Sequence, residues 1–273
     1  MEQPTKQLRG ASSRRTFLGR GLALGAGVAG AGVLSSSLTV ASASAHPASG
    51  SAITKGDVAI LQFLSALEIL ESDLWQQYNE LGGIPDDEVP GGSVSQPYFD
   101  ALAVLDEDMA QYIHDNTEDE ISHFTFLNAY LASQGADPVS LERFRTLPGS
   151  QATGAVKNAP RLTNLMQLTV DTSWWTRYRS RTGNPDLGDT FPQAVPGLSM
   201  GQFPAIPRSD DDLMPGDHIQ AIANTASFHF AFIEQGGTSL YPSLAQRVTN
   251  PEVLRILLAI GPTETMHFQT WQD

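Results

Sequence analysis

Along the chain, Ile60, Leu64, Leu67, Leu74, Tyr78 and Leu81 fall at three- and four-residue steps, the spacing of one face of an α-helix. Thr54, with Asp57 three residues on, supplies an N-terminal cap, and Gly82-Gly83 ends the segment. A second stripe runs Leu102, Leu105, Met109, Ile113, Leu127 and Leu131. Ser95 and Pro97 open it and Gly135 stops it, which predicts one helix of about 37 residues. Asp217 with Gln220 caps a third stripe through Ile219, Ile222, Ala226, Phe230 and Ile233. Asn250-Pro251 opens a fourth through Leu254, Leu257 and Leu258, where Pro262 predicts a kink or a restart.

From 140 to 215 the period loosens. Asn158-Ala159-Pro160 suits the start of a shorter helix through Trp174, Trp175 and Tyr178. The stretch from Gly183 to Gly216 is too rich in Pro and Gly for a regular element. The expected architecture is therefore all-α, a four-helix bundle with a long insertion, a possible lid, between bundle helices two and three.

The first 45 residues differ in kind. Lys6, Arg9, Arg14, Arg15 and Arg20 precede a Gly/Ala-rich run from Gly21 to Val40, and Ala43-Ser44-Ala45 then offers an A-x-A cleavage site, the anatomy of a signal peptide. Ser13-Arg14-Arg15-Thr16-Phe17-Leu18 resembles the twin-arginine signature, which implies export of a folded protein to the periplasm, cell wall or exterior. Gly and Ala make a poor membrane span, so no stable insertion is expected after cleavage. Residues 46–273 then form one domain with a sizeable core.

Without the signal segment, 11 Lys and Arg face 29 Asp and Glu, a net charge of −18. Such an excess argues against nucleic acid and anionic membranes as partners. The runs Asp86-Asp87-Glu88 and Asp210-Asp211-Asp212 lack the ligand spacing of a calcium loop and read as solvated loop charge. With no Cys, the domain needs no disulfide and offers no thiolate.

Chemistry enters where polar residues interrupt the stripes. Glu71, Glu120, Glu234 and Glu264 stand on apolar helix faces, where an unpaired carboxylate costs several kcal/mol. Only Lys55 and Lys157 remain as lysines after the signal segment. Glu120/His123 and Glu264/His267 are two Glu-x-x-His pairs, and residues i and i+3 share a helix face, so each pair can offer a carboxylate and an imidazole to one ion. His114 and His218 read as surface residues, and His229 as a packed or surface one. Trp75, Tyr78 and Tyr241, near these positions, read as core aromatics.

Leu67-Glu68-Ile69-Leu70-Glu71, Glu120-Ile121-Ser122-His123-Phe124, and Glu234-Gln235-Gly236 followed by Tyr241, Asn250-Pro251 and Glu264-Thr265-Met266-His267 together resemble the ferritin-like di-metal bundles. Within them, the chain is similar to exported proteins of the group that includes the desiccation-related proteins. The resemblance implies a site in which Glu120 and Glu264 bridge two metals, His123 and His267 cap one each, Glu234 is a terminal carboxylate, and either Glu68 or Glu71 is its counterpart from helix one. Six oxygen and nitrogen ligands suit two iron or manganese ions. The implied chemistry is ferrous oxidation, peroxide reduction or catalase-like disproportionation, with peroxide or dioxygen as partner. A non-catalytic stress bundle with a passive metal site and a binding protein that works through the insertion are the alternatives. A homo-oligomer is left open.

Overall fold

The computed structural model describes residues 52–184, 187–198 and 202–272, with Tyr178 and Arg179 as backbone only. The signal-like segment 1–45 lies outside the described residues. Six α-helices follow in order: α1 (Lys55–Gly82), α2 (Gln96–Ala103), α3 (Met109–Ser133), α4 (Ser173–Arg179), α5 (Asp217–Ala245) and α6 (Pro251–Gln272). Among the described residues there is no strand, only a single bridge between Leu147 and Arg161. No described helix is long and apolar enough to cross a membrane.

Helix α1 starts on the expected capping box: the Thr54 hydroxyl accepts from the Asp57 amide at 3.1 Å, and the Asp57 carboxylate receives the Thr54 amide at 3.3 Å. Asp57 also accepts the Thr249 amide and hydroxyl, both at 2.7 Å, so it ties the start of α1 to the turn before α6.

The expected 37-residue second helix is two helices. Residues 104–108 interrupt it, because Asp106 Oδ1 takes the Asp108 amide at 2.8 Å, a local bond that competes with the helical ladder. Helix α3 then ends as expected at Gly135, whose φ of 73° and the Ala136 amide bond back to the Leu131 carbonyl close its last turn. The cap on α5 also differs. Gly216 occupies the N-cap without a side-chain bond, while Gln220 reaches the Ala101 carbonyl. Pro262 does not restart the last helix: α6 runs through it from Pro251 to Gln272.

Helix α1 packs along α3 and α5 along α6, with α2 laid against α5. Two apolar layers fill the space between. One holds Leu61, Leu64, Leu127, Leu131, Tyr241 and Ile256; the other holds Trp75, Tyr78, Ile113, Ile222 and Phe230. On every long helix the ordered Glu and His positions fall between these layers, so the polar site is a slab inside the bundle.

The insertion is fastened down. Only Ser173–Arg179 of the expected 158–178 helix is helical; Asn158 has a φ of 57°, and Arg161 pairs with Leu147 instead. Asp73, fully buried on α1, accepts from the Leu162 and Thr163 amides, the Thr163 hydroxyl and Arg145. Arg161 forms a buried ion pair with Glu80. Leu165, Ala205 and Ile206 enter the core, and Tyr98 donates to the Ala205 carbonyl. The segment read as a possible lid is therefore one wall of the domain. Its acidic run is not all solvated, since Asp212 is buried against Arg208 and Asp210 accepts from the Thr153 amide and hydroxyl.

Candidate metal centre

The i, i+3 spacing on α3 and α6 turns both Glu-x-x-His pairs inward, where they meet Glu68 from α1 and Glu234 from α5. His123 Nδ1 lies 3.3 Å from Glu68, 3.2 Å from Glu120 and 3.2 Å from Glu264. His267 Nδ1 lies 3.2 Å from Glu120 and 3.1 Å from Glu234. Ligand atoms of Glu68, Glu120, His123 and Glu264 sit within 4.8 Å of one another, and so do those of Glu120, Glu234, Glu264 and His267. Glu120 and Glu264 belong to both groups. The two imidazoles face each other with ring centres 6.3 Å apart.

Glu71 belongs to neither group. Its carboxyl is nonetheless drawn in: Oε1 is buried without a hydrogen-bond partner. Burial, and then the charges of Glu120, Glu234, Glu264 and Glu68, hold its pKa well above the ordinary range. Glu68 and Glu71 line a small cavity of about 210 Å³ with Gly236, Gly237 and Tyr241.

The same forces act on the ligand-type residues. Burial raises Glu120 well above the carboxylate range, reinforced by Glu264 and Glu68, and lifts Glu264 to about 7. Burial also raises Glu234, although the His267 hydrogen bond opposes it. Burial works against protonation of His123, but the Glu120, Glu264 and Glu68 carboxylates beside Nδ1 overcome it and push the imidazole up to about 12. His267 rises well above its usual value against the same burial cost, through Asp119, Glu120 and Glu234. Glu68 is lowered despite burial, because His123 bonds to it. Protons and carboxylates thus share a pocket that is short of positive charge.

A cation fits that shortage. Both oxygens of Glu264 and Oε1 of Glu120 are buried with no hydrogen-bond partner. Glu264 Oε1 lies 3.2 Å from His123 Nδ1 and Glu120 Oε1 lies 3.2 Å from His267 Nδ1, yet without the alignment of a hydrogen bond. Carboxylate oxygens and imidazole nitrogens without thiolate are the donor set of a site for metal ions. Room is made for it by Gly237, where a Cβ would stand 2.6 Å from Glu264 Cδ.

A supporting layer was not legible in the sequence. Trp75 Nε1 donates to Glu234 at 2.9 Å, and Asn116 donates to the same oxygen at 2.8 Å. The Tyr241 hydroxyl donates to Glu68, and Asp119 holds His267 Nε2 at 2.9 Å. Such partners fix the orientation of metal-ligand side chains. The one available sequence signal was helical spacing, with Asn116 one turn before Glu120 and Tyr241 two turns after Glu234. His114 also corrects the surface reading. It is 2% exposed, with Asp86 at 3.3 Å and Glu88 at 3.5 Å from Nε2. His229 is packed, bonded to the Tyr78 hydroxyl at 2.7 Å.

An all-helical bundle with two carboxylate–imidazole groups sharing a central pair of glutamates defines a ferritin-like architecture. The family model for the ferritin-like domain matches residues 56–273, and the chain belongs to that family. No curated protein and no solved structure matches it.

Proposed function

We propose that the protein is exported by the twin-arginine route and holds two iron or manganese ions in a carboxylate-bridged centre that reacts with peroxide or dioxygen in stress protection. The observation that carries this reading is the set of buried, unbonded oxygens on Glu120 and Glu264, directed between two groups that each end in a histidine.

In this reading Glu68 and His123 would hold one ion and Glu234 and His267 the other, with Glu120 and Glu264 available to both. A pair of adjacent redox ions would supply the electrons that dioxygen or peroxide takes up. Trp75, Asn116 and Asp119 keep the ligands in register, and Tyr241 does so for Glu68. Glu71 stands at the small cavity beside the site, outside both ligand groups. At about 210 Å³ that cavity has room for a molecule of peroxide size.

The test is peroxide turnover by the iron- or manganese-loaded protein, followed as peroxide loss and oxygen release. A rate that scales with bound metal and exceeds that of the same metal free in solution supports the reading. A rate no higher than that of free metal assigns the bundle a passive metal store instead.

A further inference from the structure

A second, larger cavity of about 1030 Å³ lies on the far side of α5 from Glu68, between the insertion and the last two helices. Three separate segments send rings into it: Trp174 and Trp175 from α4, Phe228 and Phe232 from α5, and Phe268 and Trp271 from α6. Trp174 and Phe232 remain 45% and 38% exposed, so the other described residues leave this apolar wall open. The volume is that of a site for a small organic molecule.

One polar group on this wall is specific. His229 lines the cavity, and burial lowers its pKa to about 3, so the imidazole is neutral. Its Nδ1 is occupied by the Tyr78 hydroxyl. Burial pushes the Tyr78 pKa well up, so that hydroxyl keeps its proton and is able to donate it to Nδ1. When Tyr78 donates, the hydrogen of the ring sits on Nε2, which makes His229 a donor toward an oxygen acceptor.

We propose that this cavity binds a planar aromatic molecule bearing an oxygen, of the phenol or quinone class, stacked among the tryptophan and phenylalanine rings with its oxygen on His229. Aromatic rings attract a flat π-system beyond the gain from area alone, whereas an aliphatic chain would leave that preference and the imidazole unused. The position of the cavity gives the occupant a relation to the candidate metal centre. Trp271 stacks on Trp75 with ring centres 5.3 Å apart, and Trp75 donates to Glu234. Trp271 also donates to Asn116, which donates to Glu234 as well. The binding site itself does not depend on the metal reading, so it is tested on metal-free protein.

The experiment is calorimetric titration of the purified, metal-free protein with 2-naphthol and with its saturated counterpart, 2-decalol. The expected result is one 2-naphthol per chain, with 2-decalol about tenfold weaker. Trp174→Ala, at an exposed position that leaves the core intact, should weaken 2-naphthol by up to about tenfold. Ser227→Trp, which fills the cavity, should abolish binding while the helical circular dichroism is kept. Absence of binding by the parent protein, equal affinity for the two probes, or undiminished affinity in both variants overturns the proposal. So does a concentration-dependent dimer that Ser227→Trp abolishes, since a second copy would then be the occupant.

Discussion

Gly237 of α5 and Glu264 of α6 are so close that a Cβ on Gly237 would stand 2.8 Å from Glu264 Cγ and 2.6 Å from its Cδ. Gly236, its neighbour, has nothing within 4 Å of the corresponding position. Two adjacent glycines in one helix therefore have different reasons to be glycine. Gly237→Ala should displace the Glu264 carboxylate and weaken metal uptake by roughly 10–100-fold, the cost usual for disturbing a ligand's support. Gly236→Ala should leave uptake unchanged and raise stability by up to about 1 kcal/mol through helix propensity. Metal titration and urea unfolding of both variants check the pair.

The ion pair between Arg161 and Glu80 is buried on both sides, with side chains 6% exposed each. Arg161→Met should cost about 3–5 kcal/mol, because Glu80 is left as an uncompensated buried charge. Glu80→Gln in the same chain should recover part of that loss. A double-mutant cycle by urea denaturation measures it, and additive losses would mean the two residues do not act as a pair.

His229 makes folding pH-dependent with a definite sign. Its pKa falls from the ordinary 6.5 to about 3 in the folded protein, so between those values the unfolded chain binds a proton that the folded chain does not. Its contribution to stability is full above pH 6.5 and is lost as pH falls toward 3. Relative to pH 7.5, the loss at pH 5.5 from this group is about 1.4 kcal/mol. His229→Gln should remove that part of the pH dependence, read as the difference between the two proteins' unfolding midpoints at the two pH values.

Asp57 acts in the same direction, at lower pH. Burial would raise its pKa, but the bonds from Thr249 and Thr54 prevail and lower it from 3.8 to about 2. A lowered carboxylate stabilises the fold above its unfolded pKa, and that gain is lost as pH falls through 3.8 toward 2. Asp57→Ala should cost about 1–3 kcal/mol at neutral pH by leaving the Thr249 amide and hydroxyl without their acceptor. Thermal unfolding of that variant is the check.

The long helices and their inward glutamates were readable in the sequence because apolar periodicity and i, i+3 spacing are local properties of the chain. Glu120, His123, Glu264 and His267 needed nothing more. The choice between Glu68 and Glu71 did, since both fit the helix face; only the approach of α3 and α6 places Glu68 within reach of His123 and leaves Glu71 beside the cluster. The break at residues 104–108 leaves no mark on the apolar spacing, which continues across it, while its cause is one Asp side chain bonding an amide two residues on. The insertion was opaque for a similar reason. Asp73 and Glu80 looked like ordinary acidic residues of a helix, and their partners Arg145, Arg161 and Thr163 lie about 70 to 90 residues further along.

The most direct test of the central claim is metal content per chain, by mass spectrometry of the protein as exported by its own host, beside a variant carrying Glu120→Ala and Glu264→Ala together. A carboxylate-bridged centre predicts close to two iron or manganese ions per chain, and none in the variant. Metal-free protein that takes up no ion on reconstitution, or a variant that keeps the full complement, would contradict it.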